Sequence, residues 1–173
     1  MMRVGAKLGV LRLLAFSIDW VVIAAWGGLL FGIVMFLSGG EPQAFSNPWL
    51  FQGVGFLAMT LPVTLYFAIF ESSNSGASIG KRVVRLRVRT SEGDQLTLGR
   101  SFLRNALKFV PWEMGHLVAQ QSMFSGEDGV ALWVYLPMSL SFLLPLWWFV
   151  SLFQKGKAPY DSWSGASVER FNV

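Results

Sequence analysis

The chain has 173 residues, of which 53% are hydrophobic and only 14% are charged, and its formal net charge is +4. Soluble domains carry about 25% charged residues, so this composition is typical of an integral membrane protein. The basic residues flank apolar runs, which makes membrane lipids the expected partners and argues against nucleic acid. The chain has no cysteine, which excludes disulfides, thiolate metal sites and cysteine nucleophiles. Its length suits one domain, residues 1–173.

Apolar stretches recur four times along the chain, at residues 11–37, 49–70, 102–124 and 130–153. The first, second and fourth are long enough to cross a bilayer unaided, since a crossing helix needs about 20 residues. The third contains Arg104, Lys108, Glu113 and His116, so its hydropathy alone leaves the crossing undecided. If it crosses, all 14 Lys and Arg lie on one side of the membrane, as the positive-inside rule expects. We therefore predict a mainly α, four-helix transmembrane bundle in the cell membrane, with both termini cytoplasmic.

Prolines and small residues give further expectations about these helices. Pro62, Pro111, Pro137 and Pro145 lie within the apolar stretches and predict kinks. Broken helices line cavities in transporters, but kinks of this kind also occur in bundles without a transport function. Small residues repeat every fourth position at 24, 28 and 32, which favours close helix packing within the chain or in a homo-oligomer.

A polar segment at about residues 80–98 separates the second and third stretches. In Val83–Thr90 apolar and arginine residues alternate, which predicts a strand half buried on one face. A turn at 91–94 and a short second strand at 95–98 would complete a cytoplasmic β-hairpin. The tail, residues 154–173, is expected to be cytoplasmic, and its strand-like part, 167–173, could pair with the hairpin. Five basic residues are candidates for contact with anionic lipid: Lys81, Arg82, Arg85, Arg87 and Arg89.

Asp19 is the most informative single residue, because it lies about two turns inside an apolar span, where an unpaired carboxylate is costly. Arg12 precedes it by seven residues, which places both side chains on nearly the same helix face, roughly 10 Å apart. At that separation a direct bond is not expected, so each side chain should find a partner on another helix. Asp19 is either an ion or proton site or part of a buried charge network.

Glu113 and His116 form a Glu-x-x-His pair immediately after Pro111. On a helix this spacing places both side chains on one face, as in carboxylate-bridged metal sites of helical bundles. A single pair lacks the further carboxylates that such sites need, so neither a metal site nor a cofactor is predicted. A titratable pair suited to proton coupling, or a hydrogen-bonded polar patch, fits better. His116 is the only histidine and no Ser-His-Asp arrangement is evident, so an enzyme is not expected.

Several of these residues together resemble the RDD family, mainly bacterial membrane proteins named for one arginine and two aspartates. The resemblance rests on Arg12, Asp19, the segment 80–88 and Asp161. It extends to Gly93, Arg104 and the sequence Gly165-Ala166-Ser167-Val168. Family members commonly have a histidine before the second aspartate, where this chain has Tyr160. The resemblance implies a bacterial inner membrane location and transport of unidentified ligands, with sodium/proton exchange proposed for some members.

Two functions remain open at this point. In the first, the chain is a small secondary transporter such as a cation/proton exchanger, with Asp19 binding the cation or proton. Glu113 and His116 would then relay protons and Arg12 would tune Asp19. In the alternative, the chain is a non-transporting scaffold or accessory subunit that binds partner proteins and anionic lipid. Arg12, Asp19 and Asp161 would then hold the fold, with Asp161 pairing with Arg12 or a strand arginine and fastening the tail.

Overall fold

A computed structural model describes residues 2–40, 47–126 and 129–171, with side chains from residue 5 onward. Four long helical segments dominate it. The first is α1 (Met2–Leu37). The second consists of α2 (Pro48–Gly55), a π-helical turn (Phe56–Thr60) and α3 (Leu61–Ser72) in direct succession. The third is α5 (Leu98–Met123) and the fourth is α6 (Tyr135–Lys155).

Three of these segments are long and apolar enough to cross a membrane: Gly5–Leu37, Pro48–Ser72 and Leu132–Lys155. They correspond to the first, second and fourth apolar stretches. Helix α5 packs against α3 and α6 along the bundle, but it is more polar than the other three. A mainly helical membrane protein is therefore confirmed, whereas the fourth crossing and the cytoplasmic orientation of the termini stay predictions. The two connecting loops at 41–46 and 127–128, which the charge argument used, lie outside the described residues.

Pro62 explains the irregular second helix. It has no N–H to donate to the carbonyl of Ala58, four residues earlier, and the π-helical turn ends two residues before it, at Thr60. Trp26 of α1 donates its indole N–H to that carbonyl at 2.9 Å, so a neighbouring helix satisfies the freed acceptor. Pro137 lies in the first turn of α6, directly after a 3-10 turn at Leu132–Val134, where α6 needs no donor from it. The kink expected there stays a prediction.

The polar elements gather at one end of the bundle, hereafter the polar end. They are α4 (Ile79–Val83), β1 (Leu86–Thr90), α7 (Pro159–Trp163) and β2 (Ala166–Arg170). Strands β1 and β2 pair antiparallel, which confirms that the tail pairs with the basic strand. The predicted return strand at 95–98 is wrong, because Leu96 is buried in the cluster under the sheet and Thr97 caps α5.

The predicted strand 83–90 also begins later than its alternation suggests. Val83 ends α4, and Arg85 adopts a left-handed φ of 58°, so the chain turns before β1. Leu86 and Val88 of β1 pack with Val168 of β2 to form the small core of the polar end. The start of α1 lies beside the end of α6, since a Cβ on Gly5 would lie 3.4 Å from the nitrogen of Gly156. The first and last described segments therefore share one end of the bundle.

Candidate functional site

Asp19 is fully buried and accepts three hydrogen bonds from uncharged donors. The donors are the Tyr66 hydroxyl at 2.8 Å, the Ser78 hydroxyl at 2.6 Å and the backbone N–H of Gly80 at 2.8 Å. Arg12 is not among them, as the helical spacing predicted. These three hydrogen bonds hold the start of α4 against α1.

Gly80 makes this docking possible. A Cβ at position 80 would overlap the carbonyl oxygen of Ala15 and lie 2.9 Å from the Asp19 carboxyl carbon. The backbone of α4 therefore approaches α1 more closely than any side chain permits. This contact explains why glycine precedes the two basic residues in the sequence 80–82.

A chain of buried ion pairs crosses the bundle just beside this cluster. Asp161 of α7 accepts from Arg12 of α1 at 2.7 Å and from Arg104 of α5 at 2.7 Å. Arg104 also pairs with Glu71 of α3 at 2.5 Å, and Glu71 pairs with Lys81 of α4 at 2.7 Å. All five side chains are nearly or fully buried. We call this set, Lys81–Glu71–Arg104–Asp161–Arg12, the charge network; it joins five helices at the polar end.

Glu71 is the functional candidate that the sequence analysis missed. It accepts from Lys81, Arg104 and the Asn105 amide, the last at 2.9 Å. The available signal was a carboxylate in the last turn of an apolar span, which should be as costly without a partner as Asp19. The pairing of Arg12 with Asp161 was considered from the sequence; the bridge through Arg104 and Glu71 was not.

Tyr160 takes part in the network through its ring and its hydroxyl. Its ring centroid lies 6.0 Å from the Arg12 guanidinium and 5.4 Å from that of Arg104. Arg12 also donates to the Tyr160 hydroxyl at 3.3 Å. Burial raises the pKa of Tyr160, so the hydroxyl stays protonated. A tyrosine at this position therefore supports two arginines.

Asp161 stays ionised despite its burial. Burial alone would raise the pKa of this carboxyl, but the charges and hydrogen bonds of Arg104 and Arg12 outweigh it and lower the pKa. The same carboxylate accepts the backbone N–H of Ala158 at 3.1 Å, which fixes the start of α7. Asp161 thus fastens the tail to the bundle and neutralises two guanidiniums.

A cavity of about 560 Å³ lies next to the charge network, between α1, α5 and α6. This size is in the range of about 300–1,000 Å³ that small-molecule sites occupy. Its walls are largely aromatic and aliphatic, and several lining side chains remain partly exposed, including Leu13 at 40%, Phe149 at 48% and Phe142 at 74%. The cavity is therefore open along one side of the helices.

Four basic side chains line this cavity: Arg12, Lys81, Arg104 and Lys108. The carboxylates of the charge network, Glu71 and Asp161, pair with the first three from outside the lining. Lys108 has no ion pair among the described residues.

Three nitrogen donors on the cavity wall lack a polar partner among the described residues. The Lys108 ammonium makes no ion pair or hydrogen bond, and lies over the rings of Phe67 and Phe16, 3.9 and 4.4 Å from their centroids. The Arg12 Nη1 and the Trp148 Nε1 are buried without a hydrogen-bond partner. Both residues are 8% exposed and both line the cavity. Buried donors normally have partners, so these nitrogens are available to an acceptor on a molecule bound in the cavity.

Glu113 and His116 form a separate polar cluster on α5. Glu113 accepts from the Gln52 amide and from the Thr60 hydroxyl, at 2.6 Å for the latter, and lies 3.7 Å from His116 Nδ1. Thr60 ends the π-helical turn, an element often found at functional sites. His116 lines the cavity, whereas Glu113 and Asp19 do not. Among the described residues no group of three or more potential ligands could hold a metal ion.

The basic segment does not present one uniform face to lipid. Lys81 is buried in the charge network and is unavailable for lipid contact, which corrects that part of the prediction. Arg87 pairs with Glu169 of β2 at 2.6 Å, and Arg89 donates to the Asn74 carbonyl at 2.9 Å. Contact with anionic lipid stays a prediction for the exposed Arg82 and Arg85 and for the half-buried Arg87 and Arg89.

The comparisons with known proteins agree with this geometry. The family model described as the RDD family matches residues 9–165. No curated protein and no solved structure matches the chain. The match includes Arg12, Asp19 and Asp161, which occupy the two connected clusters at the polar end. The chain belongs to the RDD family.

Proposed function

We propose that this membrane protein is a small transporter whose ligand is an organic anion held in the cavity between α1, α5 and α6. The observation that carries the proposal is the set of partnerless donors on the wall: Lys108 Nζ, Arg12 Nη1 and Trp148 Nε1. A buried donor without an acceptor is costly, and the oxygens of a bound anion would remove that cost for Arg12 Nη1 and Trp148 Nε1. The open side of the cavity gives the ligand a way in.

The cation/proton exchanger predicted from the sequence has less support than anion transport. A cation site needs a carboxylate that faces the cavity, and neither Asp19 nor Glu113 lines it. Asp19 is occupied by three hydrogen bonds that hold α4. Proton coupling through His116 remains compatible with anion transport, because that ring does line the cavity.

Uptake into proteoliposomes tests the sign of the transported charge. Benzenesulfonate is a suitable probe, because it stays ionised and does not cross the bilayer as a neutral acid. We expect saturable uptake by the wild type, loss of uptake in Lys108→Met, and unchanged uptake in Lys155→Met. Lys155 is the matched control, since it is an exposed cation outside the cavity. Sodium-driven proton movement that Asp19→Asn abolishes, without benzenesulfonate uptake, would contradict the proposal in favour of exchange.

The scaffold alternative also has one specific observation behind it. Gly28 and Gly32 are exposed, and a Cβ at either position would meet no atom within 4 Å among the described residues. This face of α1 is free for another helix, as expected for a homo-oligomer or a complex with a partner protein. Replacing Gly28 by leucine should reduce crosslinked oligomers in membranes if the face mediates self-association. A stable oligomer that survives Gly28→Leu would argue against that surface.

We also propose that α5 is the fourth crossing and that the polar end is cytoplasmic, in the bacterial inner membrane. Helix α5 has 26 residues, about 39 Å at 1.5 Å per residue, and packs along α3 and α6. Its cation Arg104 is neutralised by the charge network. Because the chain has no cysteine, single cysteines at Ser125 and Ser91 can be labelled from outside with an impermeant thiol reagent. We expect labelling of the cysteine at position 125 but not of the one at position 91; the reverse result would overturn this topology.

A further inference from the structure

The walls of the cavity point to a more specific ligand. We propose that the anion is a long-chain carboxylate, with its head group among Lys108, Arg12 and Trp148 and its alkyl chain along the aromatic wall. This inference rests on the proposed anion site and adds the chemical class of the ligand. The ligand would enter from the lipid bilayer through the open side of the cavity rather than from water.

The polarity of the lining changes from one end of the cavity to the other. At the polar end lie Arg12, Arg104 and Lys108, with Trp148 opposite them on α6. Farther along the same helices the wall is formed mainly by aromatic rings such as Trp112 and Phe142, with His116 and Ser141 as the polar residues of that part. An inorganic ion would use only the first part of this wall. A molecule with one charged end and one apolar tail uses both parts.

The length of the lining matches one acyl chain. From Arg104 to His116 the wall follows α5 for twelve residues, about 18 Å at 1.5 Å per residue. One lipid leaflet contributes half of a hydrocarbon core about 30 Å thick, so one acyl chain spans about 15 Å. The cavity volume of about 560 Å³ suits one such molecule.

The donors of the lining suit a single carboxylate head group. The two oxygens of a carboxylate offer about four lone-pair sites, enough to accept hydrogen bonds from the three partnerless nitrogens.

The open side of the cavity lies among side chains that a bilayer would surround. Leu13 of α1 and Phe142 and Phe149 of α6 line it and are 40%, 74% and 48% exposed. Both helices belong to segments long and apolar enough to cross a membrane. An alkyl chain that enters between these helices moves from lipid tails to an apolar cavity wall, and gains little free energy from that change. The specificity therefore comes from the head group.

Quenching of tryptophan fluorescence by brominated stearate tests this inference on the wild-type chain in zwitterionic vesicles. The matched probe is its methyl ester, which has the same chain and bromines but no charge. Both probes quench lipid-exposed tryptophans, so the signal from the cavity is the saturable quenching that only the acid produces. We expect that component in the wild type and in Lys155→Met. In Lys108→Met its half-saturating concentration should rise by about tenfold to a hundredfold.

Each other outcome has a defined reading. Equal quenching by acid and ester, or equal acid affinity in wild type and Lys108→Met, would overturn the inference. In Trp148→Phe the saturable component should shrink, because Trp148 is one of the reporting rings. Benzenesulfonate that binds and is transported, without saturable quenching by the acid, would leave the anion site standing and refute the long chain. If neither probe binds, the proposed function fails as well.

Discussion

Two buried polar regions meet at the polar end, and they differ in how completely their charges are partnered. In the charge network every carboxylate oxygen of Glu71 and Asp161 accepts from a cation at 2.5–2.7 Å. On the adjacent cavity wall Lys108 lies over aromatic rings without an ion pair, and Arg12 Nη1 and Trp148 Nε1 have no acceptor among the residues that the structure describes. Arg12 belongs to both regions, since its Nη2 is paired and its Nη1 is not.

The difference leads us to propose that the paired groups hold the fold and that the partnerless donors bind the ligand. Removing one partner of a buried ion pair leaves an uncompensated charge, whereas removing a group that forms no ion pair breaks no such pair. In this proposal the family's arginine and two aspartates hold the fold, apart from one Arg12 nitrogen. The predictions below test this assignment.

Glu71→Gln should have the largest effect on stability, because Arg104 and Lys81 both lose a buried carboxylate. Breaking a buried pair in this way costs about 3–5 kcal/mol. Thermal unfolding in mild detergent measures the loss. The matched control is Glu169→Gln, which removes a half-exposed partner of Arg87 and should cost no more than about 1 kcal/mol. Equal losses in the two variants would mean that the buried network does not carry the fold.

Asp19→Asn should destabilise by a smaller amount. The amide keeps one acceptor oxygen but turns donors toward groups that themselves donate, namely Tyr66, Ser78 and the Gly80 N–H. The expected cost is about 1–3 kcal/mol, also measured by thermal unfolding. Anion uptake should survive in the folded fraction. If the variant keeps the wild-type stability but loses uptake, Asp19 takes part in ligand binding and does not hold the fold.

Acidification should not change the contribution of Asp161 to stability until the pH is low. Its pKa in the folded protein lies below the unfolded value of about 3.9, so its contribution to stability is complete above that value. The contribution is lost as the pH falls through the unfolded pKa toward the folded one. Unfolding temperatures of wild type and Asp161→Asn should therefore differ by a constant amount from pH 8 to about pH 5 and converge below about pH 4. Convergence near neutral pH would contradict an ionised, paired Asp161.

Much of the architecture could be predicted from the sequence, because apolar length and strand alternation are local signals. The three apolar spans and the pairing of the tail with the basic strand followed from them. One error had a local cause as well. No return strand forms at 95–98, because Leu96 is buried under the sheet and α5 begins at Leu98.

The candidate site was harder to predict, because its partners are far apart in the chain. Asp19 was singled out correctly as a buried carboxylate, but its donors come from positions 66–80. Glu71 and Lys108 were not singled out as site residues. Only the fold shows how each is partnered: Glu71 accepts from three donors, whereas Lys108 has no acceptor among the described residues.

Thermal unfolding of Lys108→Met, with and without oleate, tests the central claim most directly. Because Lys108 forms no ion pair within the described part of the chain, its removal breaks no such pair, and the variant should unfold at the wild-type temperature or above it. Oleate should stabilise the wild type, since a ligand of the folded state raises the unfolding temperature, and should leave the variant unchanged. Two results together would contradict the account: Lys108→Met is destabilised as strongly as Glu71→Gln, and oleate shifts the unfolding temperatures of the wild type and Lys108→Met equally. Lys108 would then hold the fold, and the cavity would have no anion site.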